Sequence, residues 1–471
     1  MFALGLALWL ISILSVQPHP KPDTYHSDQF ARGQIIEKVT CPGEPAQSYA
    51  LYLPSNYSPE RAWPVLYAFD PQARGKVPVE RFKEAAEKYG WILVGSNNSR
   101  NGPMKVAFDA SRAIWKDTHE RLAIDEQQTY FTGFSGGARV AITIASACHD
   151  CVAGVIVSGA GFPPEIKPSA ATHFALFGTT GLDDFNFPEL RELAEMLAKA
   201  GVTNQIEVFP GRHEWPPASL ATEAVEWLNL QAIKRKIRAP DDAFVAQVWQ
   251  EKLQRAKAAE EAKQIYTAYR IYESLAQTFK GLHDVGEIEK RLNELRATRE
   301  VKQAISDERE EIARQRELER QINELVYQRE RNNDEVDAGL RLSGLLAKLQ
   351  KSAKVDQDSS DRRVARRVTE GLFILFLEQG RELQNQKRYD DAVRKLQIAT
   401  ELGPEKSGVF VMLASAYAMQ GDKKKALQTL KTAVEKGFTD RAAIISNSAF
   451  DSVRSDPAYV QLIEKLGQAP K

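Results

Sequence analysis

The strongest constraint on this chain is an alternation between residues 35 and 233. Short β-rich apolar runs are separated there by stretches of helical periodicity. The runs are Tyr49–Leu53, Val65–Phe69, Trp91–Gly95, Thr129–Phe134, Val152–Val157, Phe174–Phe177 and Ile206–Phe209. Helical patterns lie between most of them, at Val79–Tyr89, Lys105–Leu122, Gly136–Ala147, Pro188–Ala200 and Ala218–Leu230. This spacing requires crossover connections, so it predicts an α/β domain with a mainly parallel sheet covered by helices on both faces. The run Val152–Val157 is apolar throughout, as a strand buried on both sides must be.

The character changes after Ile233. Pro240-Asp241-Asp242 marks a boundary followed by a helix N-terminus. Over 240–350 strand signals vanish, and Ile288, Leu292 and Leu295, then Val301, Ile305 and Ile312, keep helical spacing in charged surroundings. That region reads as long helices packed along narrow apolar stripes. Lys351–Asp361 is a polar connector. Over 364–471, Phe376, Gly380, Leu383, Ala392, Leu396 and Ala399 recur 34 positions later as Phe410, Ala414, Tyr417, Ala426, Leu430 and Ala433. The pattern resembles the tetratricopeptide repeat, with Pro404 closing the first unit and a degenerate echo at Ala256, Ala268, Tyr272 and Leu275. Stacked helix pairs bury apolar faces only against neighbours, and the resemblance implies a surface for a protein or peptide partner.

Basic and acidic residues balance at 63 each, which gives no clustered field for nucleic acid. Phe2–Val16 is an uncharged apolar run ahead of Gln17-Pro18, shorter than the roughly 20 residues of a spanning helix and matching a secretory leader. Residues 1–17 therefore read as a signal peptide or anchor, and the expected location is exported, periplasmic or extracellular.

Gly133-Phe134-Ser135-Gly136-Gly137 fits G-x-S-x-G. It follows a strand and opens a helix, the setting of a nucleophile elbow, in which a tight strained turn holds the serine hydroxyl above the sheet edge. A serine hydroxyl needs a base and a carboxylate that orients it. Of the seven histidines, His19 and His26 precede the domain, His119 and His149 belong to helices, His173 starts a strand and His283 lies in the helical region. His213 alone sits in a glycine-bearing loop after a strand, Gly211-Arg212-His213-Glu214-Trp215. The loop after Phe174–Phe177 offers Asp183 and Asp184 as the acid.

The order serine, aspartate, histidine, each just past a strand, resembles the α/β-hydrolases of the esterase and polyhydroxybutyrate-depolymerase-like group. Gly133–Gly137, Gly211-x-His213-x-Trp215 and the Gly178-Thr179 … Asp184-Phe185-Asn186 run carry that resemblance. It implies an acyl-enzyme mechanism with Ser135 as nucleophile, His213 as base and Asp184, preferred to Asp183, as acid. It also places the Gly136 amide in an oxyanion hole. Relatives carry His-Gly-Gly after the third strand, whereas this chain has Asp70-Pro71-Gln72-Ala73. Proline has no N–H to give, so Gln72, with Ala73 as the alternative, is the expected second donor. Ser99, Arg100 and Trp215 are expected near the substrate. Short inter-strand intervals leave little room for a lid, favouring small or polymer-borne esters. No cofactor or metal is implied.

Cys148-His149-Asp150-Cys151 ends a helix, the wrong terminus for lowering a thiol pKa, which argues against redox catalysis. Two thiols and one histidine also fall short of a zinc set. A structural disulfide is expected instead; a bridge from Cys41 to one of the pair is one arrangement, and the sequence leaves the connectivity open. Two other functions compete with ester hydrolysis: a serine peptidase on the same fold, and a repeat-based binding protein with an inactive hydrolase domain.

Overall fold

The computed structural model describes residues 27–148, 151–331 and 335–468. The apolar leader, His19, His26, His149 and Asp150 lie outside them. Contacts divide the chain into two units, one running through Asp307 and the other from Glu308 onward.

The first unit is built on a mixed sheet of eight strands: β1 (Ile35–Thr40), β2 (Ser48–Tyr52), β3 (Trp63–Phe69), β4 (Ile92–Ser96), β5 (Ile124–Phe134), β6 (Gly154–Ser158), β7 (Ala175–Gly181) and β8 (Asn204–Phe209). Their order is β1-β2-β4-β3-β5-β6-β7-β8. β2 pairs antiparallel with β1 and β4, while β3 to β8 run parallel. Side chains of successive strand residues point to opposite faces. Val155 and Val157 thus enter one core with Phe69 and Phe131, and Ile156 enters the other with Leu66 and Phe177. Helices α1 (Lys76–Tyr89), α2 (Met104–Arg121), α3 (Gly136–Ala147), α4 (Phe187–Lys199) and α5 (Ala218–Lys234) form the crossovers and the closing segment. The unpredicted strand is β1, an edge strand whose Glu37 and Lys38 are exposed. A search for apolar runs passes over such a strand.

Three further helices, α6 (Asp242–Glu261), α7 (Ile265–Phe279) and α8 (Gly286–Ala297), belong to this unit. Asp241 caps α6 by accepting the Phe244 amide. Lys252 of α6 donates to Glu223 of α5 at 2.9 Å, and Thr278 of α7 to Gln205 of β8 at 2.9 Å. The stretch 240–350 is therefore shared between the two units.

Helix α9 (Arg299–Arg331) passes from the first unit into the second, which continues with α10 (Glu335–Ala353), α11 (Ser360–Asn385), α12 (Tyr389–Leu402), α13 (Ser407–Gln420), α14 (Lys423–Glu435), α15 (Arg441–Ile445) and α16 (Pro457–Gln468). Gly380 of α11 sits where a Cβ would come within 2.6 Å of Leu396 of α12, so the periodic small residue lets these helices close together. The guanidinium of Arg367, wholly buried, meets buried Glu311 at 3.3 Å, and Arg363 pairs with the same carboxylate. Among the described residues no helix is long and apolar enough to cross a membrane.

Candidate active site

The parallel strands end at one edge, where sheets of this kind gather functional loops. Ser135 stands between β5 and α3 with φ 52° and ψ −121°, a conformation that costs a non-glycine residue energy. Its surroundings enforce that turn. A Cβ on Gly133 would lie 2.1 Å from the Gly137 carbonyl oxygen, and one on Gly137 would lie 2.0 Å from that of Phe69. The Ser135 amide donates to the Ser158 oxygen at 2.8 Å, which ties the turn to the end of β6.

The loops that carry Asp184 and His213 are strapped together by their backbones. The Leu182 amide donates to the Phe209 oxygen and the Asp183 amide to the Gly211 oxygen, both at 2.8 Å. His213 Nδ1 then bonds Asp184 Oδ1 at 2.9 Å, and the same oxygen accepts the Asn186 amide at 2.8 Å. Asp184 is fully buried and the His213 side chain is 11% exposed. The imidazole lies between Phe185, at 4.1 Å between ring centres, and Phe134, at 4.6 Å. Phe134 is the residue before Ser135, so this packing sets the imidazole beside the Ser135 turn. Gly159, at φ 65°, clears the space: a Cβ there would come within 3.0 Å of Asp184 Oδ2, His213 Cε1 and Phe134.

Gln72 does not fit the role expected of it. Its amide already donates to Asp70 Oδ1 at 2.9 Å, and the Ala73 amide donates to the Asp70 backbone oxygen at 3.1 Å. Both amides are used to shape their own turn. Asp70 is wholly buried and takes three further bonds: Arg74 Nε and Nη2, each at 2.9 Å, and Trp215 Nε1 at 3.0 Å. Trp215 is accordingly a buried strut. It joins the base loop to the turn after β3 and packs on Phe134 at 5.7 Å, so it does not serve as a substrate wall. Ser99 is also corrected, being 1% exposed with its amide on Ser96 Oγ at 3.0 Å. Arg100 is exposed and bridges backbone-to-backbone with Gln72.

One residue went unnoticed in the sequence. Asn101 is anchored by its amide to the Pro71 oxygen at 2.9 Å, and its Oδ1 lies 1.8 Å from where a Gly136 Cβ would be. A side-chain amide therefore rests against the residue after Ser135. Its only signal in the sequence was the polar loop following β4, close to the same sheet edge.

The disulfide is Cys148–Cys151, with Cα atoms 5.7 Å apart, and not a bridge to Cys41. Cys41 is buried and free; burial first, then the Asp117 charge, pushes its thiol up to about 12, far from reactive.

No family model matches the chain, and no curated protein matches it. Among solved structures, the S-formylglutathione hydrolase of Staphylococcus aureus aligns at 14% identity and a TM-score of 0.35, covering 42% of this chain and 98% of that one. A ferulic acid esterase aligns at 18% and 0.35, covering 42% and 98%. Est1E from Butyrivibrio proteoclasticus aligns at 14% and 0.34 over the same shares.

Proposed function

We propose that residues 35–233 form a serine hydrolase of α/β-hydrolase type acting on carboxylic esters. The observation that carries the reading is the His213–Asp184 pair, held against Phe134 beside a serine in strained elbow geometry. Ser135 attacks the ester carbonyl and His213 takes its proton. Asp184 fixes the imidazole tautomer and balances the charge that forms. His213 then returns the proton to the leaving alcohol, and water attacks the acyl-enzyme with the same base, releasing the acid and restoring the serine.

The Gly136 amide belongs to the first turn of α3, whose N–H groups have no intrahelical acceptor and point toward developing negative charge. With the Gln72 and Ala73 amides engaged, the Asn101 carboxamide is the second group we assign to the oxyanion. A half-turn of that amide presents Nδ2 there. The apolar leader supports export, and the 34-residue periodicity supports a protein-binding role for the second unit.

Fluorophosphonate labelling and p-nitrophenyl acetate turnover test the reading. Ser135→Ala should abolish labelling, and both Ser135→Ala and His213→Ala should lower kcat by about 10⁴-fold or more. Wild-type turnover in either variant ends the assignment. Faster cleavage of peptide anilides than of esters would transfer it to a peptidase.

A further inference from the structure

A cavity of about 220 Å³ lies between the sheet and helix α2, on the face that also carries α3. Tyr67, Phe69, Phe131, Trp115, Phe108 and Ile144 line it. Its aromatic wall is fixed in advance, because Trp115 stacks on Tyr67 at 5.5 Å and on His119 at 4.2 Å. An apolar cavity of about 150 Å³ takes up benzene, whereas drug-sized pockets begin at about 300 Å³. The volume therefore suits one ring or a short acyl chain.

The charge of the lining is one-sided. Among the described residues, Arg112 and Lys116 border the cavity and no carboxylate does. They stand four residues apart on α2, on one helix face, and both are exposed. Arg112 also meets Glu44 at 3.2 Å, a pair exposed on both sides and so weakly held. An anion inside the apolar space would lose its hydration without recompense, but an anion at this rim keeps water and gains two cations.

We propose that this cavity is a binding site for a small apolar carboxylate, with the hydrocarbon body against Trp115 and Phe131 and the acid group at Arg112 and Lys116. The site shares no residue with the serine, histidine and aspartate, so it stands apart from the ester reading. Should that reading hold, the ligand belongs to the same chemical class as the acid released from an ester.

The test uses the full chain carrying Ser135→Ala, titrated with octanoate and with octan-1-ol by calorimetry and by the change in tryptophan fluorescence that Trp115→Phe removes. Octanoate should bind one to one, at least fivefold more tightly than octan-1-ol. Arg112→Gln with Lys116→Gln should erase that preference. Ser111→Phe, which places a ring into the space from α2, should abolish binding of both at an unchanged Tm. Phe108→Trp serves as the filling variant if Ser111→Phe does not fold. A dissociation constant weaker than about 1 mM for octanoate, equal affinity for the alcohol, or binding that persists in the filled variant would each overturn the proposal.

Discussion

The two units gather their side chains in opposite ways. In the first, Asp70, Ser135, Asp184 and His213 are separated by tens of residues, yet all stand just past the ends of parallel strands. Closing the sheet brings them to one edge. In the second, packing joins successive helices, α11 to α12 and α13 to α14, and its core runs as one apolar cluster from Ile322 to Leu466. Helices stacked on their neighbours create extended surface but bring few distant residues together. The difference lies in what each arrangement gathers: distant positions converge at the strand ends, whereas neighbouring helices lay out extended surface.

The comparison is sharpest at the nucleophile turn, where substitutions should act on rate and leave stability nearly untouched. Asn101→Ala should lower kcat for p-nitrophenyl acetate by about 10²- to 10³-fold with little change in KM, the loss typical of an oxyanion donor. An unchanged kcat would remove Asn101 from the mechanism. Gly159→Ala adds a methyl group facing Asp184, His213 and Phe134 at 3.0 Å, on a backbone at φ 65°. Displacing the imidazole by a fraction of an ångström should lower kcat by about 10- to 100-fold. Full activity there would mean that the imidazole does not act from the place it occupies.

Most of this edge was legible in the sequence because strand ends, glycines and chain order are local signals. The Ser135 turn and the His213 loop stand past the strands where the periodicity placed them, and of the two aspartates the sequence offered, Asp184, which the resemblance preferred, is the one bonded to His213. Gln72, Ser99 and Trp215 were misjudged for a shared reason. Whether an amide is free or a ring is buried depends on a partner distant in sequence: Asp70 is 145 positions from Trp215. Nothing in the text of the chain marks Asp70 as the buried acceptor that ties the two loops together. Asn101 was missed likewise, since its neighbour Gly136 arrives from another strand. The disulfide connectivity was open in the sequence, and only the fold pairs Cys148 with Cys151 and leaves Cys41 buried and free.

In the helical unit the corresponding perturbation should act on stability and spare the site. Gly380→Val drives a branched side chain into Leu396, whose nearest atom is 2.6 Å from a Cβ at that position. Overpacking of this kind costs about 1–3 kcal/mol, to be read as a lower melting transition of the second unit by calorimetry. Ester turnover per folded molecule should be unchanged. A parallel fall in kcat would show that the site depends on the packing of the second unit.

The smallest effect lies behind the sheet, where helices α5 to α7 cover β8. Glu207 is half-buried there and takes a bond from Gln205 Nε2 at 2.7 Å. Burial, and then the nearby Glu223 charge, raise its carboxyl above the ordinary value of 4.5, with Lys252 and Arg270 offsetting part of the rise. Glu223 goes the other way: burial opposes ionisation, but Lys252 at 2.9 Å and Arg255 at 3.1 Å hold it down to about 2. The signs follow from linkage. A carboxyl raised in the folded state favours folding at low pH and loses that contribution as pH climbs through its raised value. One depressed in the folded state stabilises at neutral pH and loses the contribution as pH falls toward 2. Glu207→Gln keeps an oxygen acceptor for Gln205 and removes the charge, so its Tm should exceed wild type at pH 8 and lose that advantage near pH 4. Glu223→Gln should lower Tm at pH 8, with the deficit shrinking on acidification. Equal shifts at both pH values for Glu207→Gln would show that its carboxylate rests there without penalty.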